Sequence, residues 1–138
     1  MTGYTFRLLG RIKPFVRMTQ RGKWVDPQAQ EYLDSKARLG WQMLKQMQEN
    51  EWELIPRGIP LGVAVVIRPA RHNQDLDNLV KALMDAAQGI VFEDDRWVDV
   101  IIAARHDDGD DETYLTVFHL AEDAEERFSS SKQEDKLT

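Results

Sequence analysis

The chain has 138 residues, enough for one domain, and 42% of them are hydrophobic, enough for a core without covalent staples. It has no cysteine, which excludes a disulfide framework, a zinc–thiolate centre and a cysteine nucleophile. The formal charge is −6, yet residues 1–24 carry six basic groups and no acid, whereas residues 106–138 carry 11 acids against three Lys/Arg, so residues 1–105 balance at +2. A polyanion therefore has a cationic side to approach, although six cations are equally an ordinary solvated face. No apolar run nears the roughly 20 residues of a membrane span, and the N-terminus lacks a signal-peptide core. The expectation is a soluble cytoplasmic protein.

In chain order, "YTFRLLG" (4–10) reads as a short strand, and residues 11–25, with Pro14, Gly22 and scattered cations, as a loop. Asp26-Pro27 places an N-cap acceptor before proline at the first helical position and predicts a helix over about 27–49. Ala29, Leu33, Ala37, Leu44 and Met47 fall roughly on one face of it, with Trp41 beside them. "LGVAVVIR" (61–68) is apolar on both faces and predicts an interior strand. Residues 78–88 predict a second helix, with Gly89 at the stopping position. "WVDVIIAA" (97–104) and "TYLTVFHL" (113–120) predict two more strands joined through a polar hairpin loop. Residues 121–138 are charged and serine-rich and read as a frayed or disordered acidic tail. The outcome is a single α+β domain over 1–120, in the order β-α-β-α-β-β, with a mixed sheet and two helices.

The informative stretch is "RHNQDLDNLVKALMDAAQGIVFEDDRW" (71–97), which packs like charge around a short helix. The plain explanation is strong. With 14 aspartates in 138 residues, about one D-x-D is expected by chance, and the pattern occurs at 75/77 and at 108/110. Asp77 can serve as an N-cap, and Lys81 lies four residues from both Asp77 and Asp85, which allows two ordinary ion pairs of ~0.3–0.5 kcal/mol. Asp94-Asp95 can be a turn.

The arrangement is nevertheless more specific than its parts. In an extended segment Asp75 and Asp77 share a side. Asp77, Lys81, Asp85 and Gln88 form a polar stripe opposite the apolar Leu79, Val80, Leu83, Ala86 and Ala87. A helix returning over the sheet would bring Asp95 towards Asp75 and Asp77. Each carboxylate pair 4 Å apart then costs ~4 kcal/mol at an effective dielectric near 20. A divalent cation offsets that, and all-oxygen ligands favour Mg²⁺ or Mn²⁺ over zinc.

"DLDNLVKALMDAAQGIVFEDDRWVDVI" resembles the motif of the RusA family of Holliday-junction resolvases: D-L-D-N-L-x-K-x-x-x-D-A, a short apolar stretch, then D-D-x-x-V. Asp75, Leu76, Asp77, Asn78, Leu79, Lys81, Asp85, Ala86, Asp94, Asp95 and Val98 all match. In the N-terminal third, "GRIKPFVRMTQRGKWVDPQAQEY" is similar to the family's basic, proline-containing segment, with Arg17 and Tyr32 as matches. The resemblance implies a homodimeric, Mg²⁺-dependent endonuclease that cuts four-way DNA junctions symmetrically. It implies that Asp75, Asp77 and Asp95 bind the metal, that Lys81 is the catalytic lysine, and that Asn78 and Asp85 support the helix. Asp94 is an adjacent acid without an assigned part.

Lys13, Arg17, Arg21, Lys23, Arg68 and Arg71 are the candidate DNA-binding cations, with His72 beside them in the loop before the motif. Trp24 is a candidate for stacking on a base, while the tryptophans otherwise read as core or interface. His106 and His119 lack metal-ligand spacing and read as structural. Two other functions stay open on the residues alone. One is a junction-binding module that does not cleave, and the other is a metal-dependent nucleotide phosphohydrolase.

Overall fold

The computed structural model describes residues 3–15, 27–68, 74–106 and 110–120. The elements are β1 (Gly3–Leu9), α1 (Pro27–Glu49), β2 (Leu61–Arg68), α2 (Leu76–Ala87), a 3-10 turn (Asp95–Trp97), β3 (Val98–Arg105) and β4 (Glu112–His119). The β-α-β-α-β-β order and the α+β class are those expected. The loop predicted at 11–25 and the tail at 121–138 fall largely outside the described residues.

The four strands form one mixed sheet in the order β1-β4-β2-β3. β2 lies inside it, antiparallel to β4 and parallel to β3. Its two-sided apolar run is the reason: Leu61, Val63, Val65 and Ile67 face the core under the helices, and on the opposite face Gly62 is buried and Ala64 and Val66 are half-buried. A parallel pair needs a crossover, which α2 supplies.

The predicted hairpin is not formed. β4 pairs with β2 and β1, and β2 stands between β3 and β4. β3 and β4 are therefore not neighbours in the sheet, although they follow one another in the chain. An interior strand must have two neighbours, and both β3 and β4 are taken up in flanking it.

Helix α1 begins at Pro27, as expected, but its buried face differs from the predicted one. Ala29, Tyr32, Leu39, Met43 and Met47 are buried, whereas Leu33 and Leu44 are only partly covered and Ala37 is exposed. Each four-residue step overshoots a full turn by about 40°. The series 29, 33, 37, 41 therefore walks off the face that alternating three- and four-residue steps keep. Trp41 ends up 73% exposed. Trp52, in contrast, stacks on Tyr4 at 4.6 Å and meets Phe6 edge-on, closing one end of the core.

The outer edge of β1 is closed by side chains. Gln42 and Gln46 of α1 accept from the N–H of Leu9 and Arg7 and donate to their carbonyls, as a neighbouring strand would. On the face of the sheet away from the helices, Gly62 lies under the Phe118 ring, and a Cβ at Gly62 would overlap that ring. Gly62→Ala should therefore cost about 1–3 kcal/mol by overpacking, seen as a lower urea midpoint with an unchanged slope. Phe118→Ala in the same chain should return most of that overpacking loss.

Candidate active site

Helix α2 starts at Leu76, two residues earlier than expected, and Gly89 follows it in the left-handed region at φ 87°. All five residues predicted for the buried face, Leu79, Val80, Leu83, Ala86 and Ala87, are buried, and Ala82 joins them. That face turns the polar side of α2 outward. Asp77 and Lys81 open on a hollow of about 590 Å³ together with Asp95. Its walls are Leu76, Val80 and Met84 from α2 and Ile101 and Ala103 from β3. Asp75, the residue before the helix, is exposed next to it in sequence but does not line the hollow.

The simple capping explanation for the acids fails. Asp75 holds the N-cap position, yet its side chain makes no cap hydrogen bond; only its carbonyl receives the Leu79 N–H at 3.2 Å. Asp77 lies within the first turn. The two expected lysine ion pairs are also absent among the described residues. Lys81 Nζ stands 5.8 Å from the centroid of the Phe15 ring, within cation–π range. Asp85 is drawn away from the expected polar stripe by α1. It accepts from the Tyr32 hydroxyl and pairs with Lys36 at 3.3 Å.

The structure thus sorts the acids of this stretch. Glu93 and Asp94 face Arg57 at 3.8 and 3.9 Å, and Asp94 also caps the 3-10 turn through Arg96 N–H. Asp94 is therefore part of the turn and not of the hollow. Asp95 is presented by that turn, with its N–H donated to Gln88 Oε1 at 3.1 Å. Among the described residues, Asp75, Asp77 and Asp95 enter no ion pair. No three His, Asp or Glu side chains among the described residues lie close enough to enclose one ion. The donor chemistry suits a hard divalent cation at Asp77 and Asp95, with Asp75 adjacent.

Sequence reasoning missed two supporting residues, Phe15 and Arg105, and gave Gln88 only a place in the polar stripe. Gln88 steadies the Asp95 backbone. Phe15 donates its N–H to the Asn78 carbonyl at 3.2 Å, meets Tyr32 edge-on and underlies Lys81. Arg105 donates to the Gln74 carbonyl at 2.7 Å, just ahead of the motif. The Gly89 stop was the available signal for Gln88, since a reversal there brings the following acids back beside the helix end.

Of the candidate DNA-binding cations, Lys13 pairs loosely with Glu31 at 3.9 Å, and Arg68 is exposed at the end of β2. Arg17, Arg21, Lys23, Arg71, His72 and Trp24 lie outside the described residues. His106 is exposed, and its backbone N–H continues the ladder to Ile67.

A model of the endodeoxyribonuclease RusA family matches residues 12–117, from the segment ahead of Phe15 into β4. The class so defined is that of hydrolases acting on phosphodiester bonds within DNA. The chain belongs to the RusA endodeoxyribonuclease family, the Holliday-junction resolvases, whose substrate is branched DNA. No curated protein is close enough in sequence to count as a match. Among the described residues no helix is long and apolar enough to cross a membrane.

Tyr32 gives this site a measurable pH signature. Burial, and then the hydrogen bond and charge of Asp85, push its hydroxyl well above the ordinary tyrosine value of 10.0. The folded chain holds that proton more tightly than the unfolded one. The stabilisation is therefore full below pH 10.0 and is lost as pH rises beyond it. Tyr32→Phe should lower stability at neutral pH by about 1 kcal/mol and flatten the alkaline decline, both read from thermal melts across pH.

Proposed function

We propose that the protein resolves four-way DNA junctions as a homodimer by paired, symmetric phosphodiester hydrolysis that requires Mg²⁺ or Mn²⁺. The observation that carries this reading is the common hollow of Asp77, Lys81 and Asp95, whose carboxylates are committed to neither caps nor ion pairs among the described residues. Pure DNA binding gains nothing from carboxylates turned towards phosphate, and a mononucleotide would not need the N-terminal run of cations.

Asp77 and Asp95, with Asp75, would hold the divalent cation. When bound, it supplies charge relief at the phosphate and helps to activate a water nucleophile. Lys81, one turn along from Asp77 and unpaired with either neighbouring aspartate, places positive charge beside the phosphoryl oxygens, where negative charge grows in the transition state. Phe15 limits the directions its amine can take. Gln88 fixes the peptide that presents Asp95. No cysteine is present, and among the described residues the hollow is lined by no hydroxyl or imidazole, which favours direct attack by water. Water adds to phosphorus, and the leaving ribose oxygen departs with a proton. Lys13 and Arg68, with Arg17, Arg21, Lys23 and Arg71, would neutralise backbone phosphates. Binding should accordingly weaken steeply as salt rises.

A labelled synthetic four-way junction should be nicked at paired positions with Mg²⁺ and left intact with EDTA, while the matched linear duplex resists. Asp77→Asn and Asp95→Asn should each reduce single-turnover cleavage on the order of 10²-fold or more. Lys81→Ala should lose roughly 10²–10³-fold. All three should keep junction binding by gel shift and their melting temperatures. Cleavage unaffected by EDTA or by Asp77→Asn would defeat the reading. In the same assay Gln88→Ala should lose roughly tenfold or more, with added Mg²⁺ recovering part of it.

A further inference from the structure

The acids at the hollow are held through their backbones, each in its own way. Asp77 lies within the first turn of α2, where the helix fixes it. Asp95 is held from both sides. Its N–H donates to Gln88 Oε1 at 3.1 Å, and its carbonyl accepts the Val98 N–H. Asp75 stands at the N-cap, and its side chain makes no cap hydrogen bond. Its carbonyl accepts the Leu79 N–H, the first bond of the helical ladder. The peptide ahead of Asp75 lies outside that ladder and has no partner within the helix. Arg105 holds it instead: its Nη1 donates to the Gln74 carbonyl at 2.7 Å.

We propose that Arg105 is a positioning residue of the active site, acting through Asp75 as Gln88 acts through Asp95. The proposal rests on the reading of Asp75, Asp77 and Asp95 as holders of a divalent cation. The Gln74 carbonyl and the Asp75 N–H lie in one rigid plane. Arg105 pins that plane, and Leu79 pins the next. Both backbone torsions at Asp75 are then set, and with them the direction of its Cβ. The backbone is fixed while the carboxylate stays uncommitted, as a metal ligand requires.

The mounting of Arg105 suits this part. Its backbone pairs with Ile67, a buried residue of the interior strand. Its side chain is half-buried and shares a face of β3 with Ile101 and Ala103, two walls of the hollow. A support carried on a strand holds a site more firmly than one carried on a loop. A guanidinium also keeps its charge throughout the working pH range, and a charged donor makes a stronger hydrogen bond than a neutral one. Removing the donor frees one of the two peptides at Asp75 and weakens metal binding without altering the ligand set.

Mn²⁺ alone is the probe, its free concentration read by electron paramagnetic resonance with no DNA present. Asp75→Asn gives the background from the other acids of the chain. Arg105→Gln should weaken Mn²⁺ binding about tenfold or more. The Mg²⁺ concentration for half-maximal junction cleavage should rise by a similar factor, and saturating Mg²⁺ should recover most of the rate. Arg105→Lys keeps a charged donor on a long stem and should fall between Arg105→Gln and wild type. On top of Asp75→Asn, Arg105→Gln should add no further loss, whereas on top of Gln88→Ala its effect should multiply in full. Melting temperature and junction binding in EDTA should match wild type. If Arg105→Gln melts low, Arg105→Met, which keeps the stem and lacks the donor, takes its place in every comparison.

Unchanged Mn²⁺ affinity and Mg²⁺ dependence in the folded variant would overturn the proposal and leave the metal reading intact. A full extra loss on top of Asp75→Asn would do the same. A loss confined to junction affinity in EDTA, with the salt slope reduced by about one, would overturn it by making Arg105 a phosphate contact. A wild type that holds no Mn²⁺ above the Asp75→Asn background and cleaves in EDTA would overturn the metal reading itself, and this proposal with it.

Discussion

The burial of α2 against the sheet is the contact on which the candidate active site depends. Leu79, Leu83, Ala86 and Ala87 share one core with Val63 and Val65 of β2 and with Leu39 and Met43 of α1. Each fully buried leucine contributes about 1.5–3 kcal/mol. Carboxylates that remain in water repel by only about 1 kcal/mol per pair at 4 Å. The core term is the larger, so α2 cannot roll to relieve its acids without exposing several apolar side chains. Asp77 and Lys81 are held outward as a consequence of what the other face of the same helix buries.

The return of Asp95 follows from a second set of contacts. After α2 the chain reverses at Gly89, whose N–H donates to the Phe92 carbonyl, and Phe92 is buried and bridged to Ile55. Ile55 exchanges backbone hydrogen bonds with this segment at both Val91 and Glu93. The acids beyond Phe92 are therefore carried on a fixed loop. Arg57 takes Glu93 and Asp94 to one side, and Gln88 takes the Asp95 amide on the other. Tyr32 and Lys36 do the same for Asp85. The acids with structural partners and those turned to the hollow are separated by these few contacts, and that separation explains how so many like charges are tolerated around twelve helical residues.

Local periodicity made most of the fold readable. The two-sided apolar run of β2 announced an interior strand, and the one-sided face of α2 was right at every position. Pairing between strands was not readable in the same way. Val98–Arg105 and Glu112–His119 are adjacent in sequence, but which of them β2 accepts on each side depends on the whole sheet. The face of α1 was misplaced because Leu33, Ala37 and Leu44 are apolar without being in the core, and a helix that presents apolar residues on two sides has no single answer in its sequence. Of the candidate site residues read from the motif, Asp77, Lys81 and Asp95 share a hollow and Asp75 does not line it. The supports of the site were not legible, because Phe15 under Lys81 and Tyr32 on Asp85 are contacts across long stretches of chain.

A nuclease of formal charge −6 has to approach a polyanion with its carboxylates foremost. The mean charge is a poor guide here, because fields from exposed groups decay within about 10 Å at ordinary ionic strength. What matters is which charges lie within that distance of the hollow. Phe15 ties the N-terminal segment to Asn78, one residue beyond Asp77, while Lys13, two residues earlier, pairs with Glu31 of α1. Arg105 is bonded to the Gln74 backbone at the same end. A divalent cation at Asp77 and Asp95 would turn the sign of the hollow itself. The charges nearest the phosphate would then be the lysine and the metal, and the net charge of the chain would be a poor measure of what its substrate meets there.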